Sequence, residues 1–254
     1  MNKQKIGNWL IGIISLSVVV SVFFVKPIAQ DLAYHKFIDN RAMLSVPNFW
    51  NVMSNLPFLI VGFLGLMQFK SFKTIAEMDL AYWLLFFGLA LVAFGSGYYH
   101  WLPSNETLVW DRLPVTVAFM SLFAIIIAEF VNARRASVLL FPLIIIGMLS
   151  VFYWQYSESQ GAGDLRFYAL VQFLPILLIP VMLICFQYKF NRVSGYWFLL
   201  LFYVAAKLLE SFDVPIFELT AGTISGHSLK HIVAAIGMYV LLVTYKKRSE
   251  LFGK

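Results

Sequence analysis

Long apolar runs separated by short polar connectors occupy almost the whole chain. Eight of these runs, each roughly 18–23 residues long, match the length that a helix needs to cross the hydrocarbon core of a bilayer. Backbone polar groups in hydrocarbon must be paired within the segment, so the runs predict helices and not strands. They lie at Asn8–Val25, Asn48–Gln68, Asp79–His100, Leu113–Phe130, Ser137–Gln155, Leu165–Gln187, Gly195–Phe212 and Gly226–Tyr245.

The composition supports a membrane protein. Hydrophobic residues make up 61% of the 254 residues and charged residues only 13%, whereas a soluble domain has about 25% charged residues. The formal net charge of +6 does not indicate nucleic-acid binding, because the basic residues are spread over connectors between apolar runs. The single cysteine, Cys185, excludes an internal disulfide and a multi-cysteine metal site. We therefore predict an all-α, polytopic transmembrane helix bundle.

The distribution of lysine and arginine predicts the orientation of the bundle. Cytoplasmic connectors of membrane proteins are rich in these residues. Basic pairs occur at the N-terminus, in alternate connectors and at the C-terminus: Lys3 and Lys5, Lys70 and Lys73, Arg134 and Arg135, Lys189 and Arg192, Lys246 and Lys247. Both termini are therefore predicted to be cytoplasmic. The first run follows a basic head, as a secretory signal would, but Lys26 and Pro27 make a poor cleavage site, which favours a retained anchor helix.

Three of the four histidines are predicted at the external face. His100 ends the third run, and His227 and His231 open the last one. The i, i+4 spacing of the latter two places both imidazoles on one side of a helix, and two histidines hold one metal ion at this spacing. Together with His100 they match a catalytic zinc site with an open fourth position. The alternative for each one alone is an interfacial histidine bonded to backbone carbonyls or lipid headgroups.

Ser96 and Asp111 are predicted beside the histidines. Ser96 lies one helical turn before His100, and Asp111 lies where the fourth run begins. Carboxylates in membrane segments cost about 2.5–3.5 kcal/mol on insertion scales and are usually functional or paired. The structural alternatives are an N-cap role for Asp111, with Pro114 in the first turn, and close helix packing for Ser96 within Gly95-Ser96-Gly97.

The second run opens with a polar stripe of Asn48, Asn51, Ser54 and Asn55. Such residues form hydrogen bonds between membrane helices. We expect them to hold the ligand-bearing helices in place and not to bind metal themselves.

The remaining ionisable residues in the outer half are expected to have ordinary roles. Lys207 and Glu210, spaced i, i+3, are expected to pair with each other, with headgroup binding by Lys207 as the alternative. His35 has no partner at a ligand spacing and is expected to be an ordinary surface histidine.

Four sequence blocks, in order along the chain, carry a resemblance to a known family. They are Phe49-Trp-Asn51-Val-Met-Ser54-Asn55, Gly95-Ser96-Gly-Tyr-Tyr-His100, Asp111-Arg-Leu-Pro114 and His227-Ser-Leu-Lys-His231. Together they resemble the alkaline ceramidases and, more broadly, the CREST superfamily of membrane hydrolases, which includes the adiponectin receptors. The resemblance extends from about Asn48 to Tyr245.

The resemblance implies a seven-helix core in which three histidines hold Zn²⁺, here His100, His227 and His231. It also implies that Ser96 and Asp111 are the catalytic neighbours of the metal. We therefore predict a seven-helix core plus one N-terminal helix. Residues 1–47 form the N-terminal anchor helix and an outer segment in this prediction, and residues 48–254 form the ceramidase-like membrane domain.

The chain departs from the family pattern in two ways. One is the additional N-terminal helix. The other is that Asn48 stands at the place of the last acidic residue of a calcium-binding cluster, with Asp39 as the one nearby acid. Calcium control is therefore not expected.

The resemblance implies hydrolysis of a membrane lipid amide such as ceramide, which releases a fatty acid and a sphingoid base. A zinc ion lowers the pKa of bound water toward about 7. Asp111 would accept the water proton and pass it to the leaving amine, and Ser96 would donate a hydrogen bond to the developing oxyanion. The acyl chain is expected between the helices, against Phe86–Phe94 and Phe173–Cys185.

Two other function classes remain open at this stage. A lipid-binding membrane receptor would hold the metal in a structural or weakly hydrolytic site. A transporter would carry ionisable residues near mid-bilayer, where the clearest polar residue is the uncharged Gln172. No nucleic-acid partner is expected, and the oligomeric state is not predicted.

Overall fold

A computed structural model describes residues 2–251 and confirms the all-α helix bundle. The described part contains ten α-helices, numbered in chain order: α1 Lys3–Val22, α2 Phe49–Met53, α3 Leu56–Gln68, α4 Asp79–Trp101, α5 Asn105–Ile126, α6 Ala133–Ser159, α7 Arg166–Cys185, α8 Ser194–Ser211, α9 Asp213–Leu219 and α10 Gly226–Lys247. Short 3₁₀ segments lie at Leu32–His35, Phe69–Ser71 and Ala76–Met78, and a π-helical turn, Ile127–Val131, continues α5. Residues 2–251 include no strand, only isolated bridges between Met43 and Val46 and between Phe190 and Glu250.

Seven segments of the described chain are long and apolar enough to cross a membrane. They are Lys3–Val22, Phe49–Ser71, Ala76–Trp101, Asn105–Val131, Ala133–Ser159, Arg166–Cys185 and Gly226–Lys247. The seventh predicted run, Gly195–Phe212, forms α8, which packs against α10 and contains the charged residues Lys207 and Glu210. The chain is therefore an integral membrane helix bundle.

Helix α5 lies at the centre of the bundle. It packs against α4, α6 and α7, and every residue from 120 to 130 is buried. Helix α1 packs mainly against α7, and Gly7 is its one buried residue. Large apolar side chains on α1, α3 and α6, such as Leu16, Phe63 and Val138, remain exposed, as expected for surfaces that face lipid tails.

The second predicted run is two helices, α2 and α3, with a break at Ser54 and Asn55. Pro57 occupies the first turn of α3, where a proline is tolerated because its missing N–H has no helical partner there. The side chain of Ser54, at this break, contacts a different helix, as described below.

The fourth predicted helix begins at Asn105 and not at Leu113. Ser104 caps it, because the Thr107 backbone N–H donates to Ser104 Oγ at 3.2 Å and the Ser104 N–H donates to Thr107 Oγ1 at 3.1 Å. Pro114 therefore lies inside the helix, and Asp111 lies in its second turn. The N-cap alternative for Asp111 is wrong. Pro114 resembles a first-turn proline, but the capping box that starts the helix lies further upstream, at Ser104.

Candidate active site

The structure brings His100, at the end of α4, together with His227 and His231, in the first two turns of α10. Their possible ligand nitrogens all lie within 4.8 Å of one another, and the ring centroids are 4.9, 5.0 and 5.1 Å apart. All three imidazoles are buried. We call these residues the histidine triad.

The histidine triad suits a zinc ion in its donor chemistry and its spacing. His100 Nε2 and His227 Nε2 are 3.4 Å apart, and two nitrogens bound at about 2.0–2.1 Å to one tetrahedral Zn²⁺ are about 3.3–3.4 Å apart. His100 Nδ1 is buried and has no hydrogen-bond partner among residues 2–251. A cation shared by His100 Nε2 and His227 Nε2 would account for the close approach of these two buried nitrogens. Three imidazoles also accept other transition metals.

The polar stripe of α2 holds the triad in place, as predicted. Ser54 Oγ lies 2.8 Å from His231 Nδ1, which leaves His231 Nε2 for another partner. Asn51 Oδ1 accepts from Ser228 Oγ at 2.9 Å, so two hydrogen bonds tie this stripe to the first two turns of α10. Polar partners of this kind fix the orientation of ligand imidazoles.

Asn48, immediately before α2, supports His100. Its Nδ2 donates to the His100 carbonyl at 2.8 Å, which satisfies one of the open carbonyls at the end of α4. The Asn48 backbone is left-handed, with φ of 47°, a conformation that asparagine adopts more readily than most residues.

The segment between α1 and α2 covers the histidine triad. The Phe37 ring lies 4.8 Å from the His100 ring and 5.0 Å from the His227 ring, edge to face in both cases. Phe37 is buried and helps to exclude water from the histidine triad. Sequence reasoning missed it, because one phenylalanine in a polar connector carries no spacing signal.

The prediction that His35 is an ordinary surface histidine is wrong. His35 is half-buried, with Nδ1 3.0 Å from the Tyr99 hydroxyl and Nε2 2.9 Å from Asn105 Oδ1. It joins the segment before α2 to α4 and α5, next to His100 but outside the triad. Both partners are distant in sequence, so spacing could not reveal them.

A cavity of about 530 Å³ begins beside the triad and extends into the bundle. Along α4 it is lined by Ser96, Val92, Leu89 and Leu85, which are successive turns of one helix face. The same order, polar near the triad and apolar further in, recurs on α5 and α10. The apolar part includes Leu89, Val92 and Phe173 from the two runs expected to line an acyl chain.

Ser96 on α4 and Asp111 on α5 both lie at the end of the cavity nearest the triad. Both line it, together with His231. Gly95 allows α4 to approach α5 at this point, because a Cβ there would lie 1.9 Å from the Trp110 carbonyl oxygen. A Cβ on Gly97 would meet no atom within 4 Å. The close-packing interpretation of this block is therefore confirmed for Gly95 and not for Gly97.

An ion-pair cluster lines the cavity on the α8 side. The predicted pair of Lys207 and Glu210 is confirmed, and Lys230 pairs with the second oxygen of the same carboxylate. Lys230 immediately precedes His231, so α10 presents a cation and a histidine side by side. The sequence carries no spacing signal for the Lys230 pair, because its partner Glu210 is on another helix.

Comparison with known proteins gives a family match. A search of curated proteins finds no match to the chain. The ceramidase family matches residues 41–249, a range that contains the histidine triad, Ser96 and Asp111. This range is most of the 254-residue chain, so the protein belongs to the ceramidase family.

Proposed function

We propose that the protein is a zinc-dependent membrane hydrolase that cleaves the amide bond of an N-acyl lipid such as ceramide. Membership of the ceramidase family supports a hydrolase that acts on lipid amides. The observation that carries the proposal is the buried histidine triad beside a long cavity, with Asp111 and Ser96 on the cavity wall.

The histidine triad is proposed to hold the metal through His100, His227 and His231. When bound, zinc acts as a Lewis acid and lowers the pKa of a coordinated water to about 7. Imidazole binds metal in its neutral form, through the lone pair of a ring nitrogen.

Asp111 is proposed to move the proton. It takes a proton from the attacking water, whose oxygen adds to the acyl carbon, and it delivers that proton to the amine nitrogen as the C–N bond breaks. The products are a fatty acid and the free amine of a sphingoid base. Ser96 donates a hydrogen bond to the carbonyl oxygen while negative charge develops there.

The apolar part of the cavity is proposed to receive the acyl chain. The volume of the whole cavity, about 530 Å³, lies within the range of roughly 300–1,000 Å³ typical of small-molecule sites. Leu85, Phe119 and Met238 line it on three different helices, so an acyl chain there contacts hydrocarbon on several sides.

The active site is proposed to lie near the external face, periplasmic or luminal, with both termini in the cytoplasm. The basic pairs at the other end of the bundle support this orientation. Because Cys185 is the one cysteine, single cysteines placed at Lys36 and at Lys247 in a Cys185→Ser chain allow a direct test. A membrane-impermeant thiol reagent added to intact cells should label the Lys36→Cys protein and spare the Lys247→Cys protein, and the reverse pattern rules the orientation out.

The reaction itself is tested with detergent-purified protein, a panel of N-acyl lipids that includes ceramides, and mass spectrometry of both products. Wild-type protein should release fatty acid and amine, and Asp111→Asn and His227→Ala should not. Glu77→Gln, an exposed carboxylate outside the cavity, is the matched control and should retain full turnover. Metal and lipid binding without turnover by the wild type would instead identify a lipid-binding receptor.

A further inference from the structure

Arg112, next to Asp111 on α5, is a buried cation that lines the cavity. It is 8% exposed, and its Nη1 has no hydrogen-bond partner within residues 2–251. None of the ion pairs within residues 2–251 includes Arg112. Buried charges are otherwise paired or bound to an ion, because an unpaired one is costly. Arg112 is therefore a buried cation without an ion-pair partner within residues 2–251.

The groups that hold Arg112 leave one edge of the guanidinium free. Nη2 donates to Gln30 Oε1 at 2.7 Å. The guanidinium lies over the Trp154 ring at 4.0 Å and near the Tyr168 ring at 4.7 Å. These contacts fix the plane of the side chain by stacking, and they leave Nη1 without a hydrogen-bond acceptor within residues 2–251. A planar, oriented guanidinium is well suited to a carboxylate or phosphate.

The charged residues that line the cavity carry a net positive charge. Glu210 is paired with both Lys207 and Lys230. Arg112, Lys207 and Lys230 are three cations against the two carboxylates of Asp111 and Glu210, which leaves one positive charge in excess.

A second unused donor lies in the same cavity. The Tyr203 hydroxyl on α8 is buried without a partner in the described range, and Tyr203 is one of the residues that line the cavity with Arg112. Two donors without protein acceptors indicate that a ligand supplies the acceptor atoms.

We propose that Arg112 is an anion-binding residue of the cavity and that the lipid presents a negatively charged oxygen group to it. The proposal rests on the proposed function and adds a substrate class, an N-acyl lipid with a phosphate or carboxylate near its amide. The same chemistry has a second source, the carboxylate of the fatty acid that hydrolysis produces, and the experiment separates the two.

The turnover arm compares ceramide with ceramide phosphate of the same acyl length. Wild-type protein should have a kcat/KM at least tenfold higher for ceramide phosphate, mainly through KM. Arg112→Gln should abolish this preference while ceramide turnover changes less, and Arg112→Lys should keep part of it. Lys36→Gln, an exposed cation of the segment before α2, is the matched control and should keep the preference in full. Thermal unfolding of each variant shows whether it is folded.

The binding arm uses ligands without an amide, so it does not depend on catalysis. Dodecyl phosphate and dodecanoate should bind wild-type protein at least tenfold more tightly than dodecanol in calorimetry, and Arg112→Gln should remove the difference. Equal turnover of both ceramides combined with Arg112-dependent dodecanoate binding assigns the site to the product carboxylate.

The two arms also separate this inference from the proposed function. Ceramide hydrolysis with no anion preference in either arm overturns the anion site and leaves the amidase standing. Arg112-dependent anion binding with no hydrolysis of any N-acyl lipid does the opposite.

Discussion

The two ends of the bundle bury similar kinds of residue and satisfy them differently. At the end opposite the triad, Arg248 Nη1 lies 2.7 Å from Glu129 Oε1, and both side chains are almost inaccessible. The Tyr196 hydroxyl donates to the other Glu129 oxygen at 2.8 Å, and Arg248 Nε donates to the Lys73 carbonyl at 2.8 Å. At the triad end, His100 Nδ1 and Arg112 Nη1 have no partner in residues 2–251. A buried polar cluster whose members satisfy one another's hydrogen bonds is structural, whereas buried polar atoms without partners indicate a ligand.

The closed end holds the helices whose other ends form the site. Tyr82 of α4, Glu129 in the π-helical turn after α5 and Tyr245 of α10 belong to the same network, with Arg248 just after α10. The histidine triad and Asp111 lie on α4, α5 and α10. Fixing the three helices at one end limits how far their other ends move, and metal and catalytic groups need such positioning.

The largest effect is expected from removing a residue of the open end. His227→Ala should lower turnover by more than the ~100-fold that loss of a supporting partner of a metal ligand costs, because a ligand itself is lost. Bound metal, measured by mass spectrometry of the purified protein, should fall in parallel while the helix content stays unchanged. Full metal occupancy in this variant would contradict the role of the triad.

Breaking the closed end should affect stability instead. Glu129→Ala leaves Arg248 buried and unpaired, and removing one partner of a buried pair costs about 3–5 kcal/mol. Thermal unfolding in detergent should show a lower Tm, while kcat per folded molecule changes little. The double variant Glu129→Ala with Arg248→Met removes the stranded charge and should recover part of the loss. A normal Tm for Glu129→Ala would show that the network is dispensable.

Gly95→Ala tests the helix contact that carries Ser96 and Asp111. The added Cβ overlaps the Trp110 carbonyl, and overpacking typically costs about 1–3 kcal/mol. Both Tm and turnover should fall, since α4 and α5 must separate beside Asp111. Gly97→Ala adds the same methyl group where no atom lies within 4 Å and should leave both measurements unchanged.

Ser54→Ala should have the smallest effect of the four. It removes the hydrogen bond to His231 Nδ1, and losing a partner of a ligand imidazole lowers metal affinity or activity by about tenfold or somewhat more. Metal affinity measured by competition with a chelator provides the test. Ser137→Ala, where an exposed hydroxyl bonds only to the Arg134 carbonyl of its own helix, is the control. Equal affinity in the two variants would remove Ser54 from the support of the triad.

Local rules were sufficient for the class of fold and for much of the candidate site. The length of apolar runs depends on bilayer thickness, and the i, i+4 spacing of His227 and His231 depends on helix geometry, so both could be read along the chain. The polar stripe of α2 was predicted for the same reason, since hydrogen-bonding residues in hydrocarbon need partners. Helix ends were harder, because the capping box at Ser104 and a proline at Pro114 both resemble helix starts and only one serves as such.

By itself, then, the sequence determined that this protein is a membrane helix bundle and that three histidines lie at one depth in it. Only the tertiary structure decided which distant groups meet. Ser54 reaches His231 across 177 positions and His35 reaches Tyr99 across 64, and Arg112 has stacking partners but no carboxylate. Such contacts depend on how whole helices pack, and no local pattern encodes which buried charge the fold leaves open to a ligand.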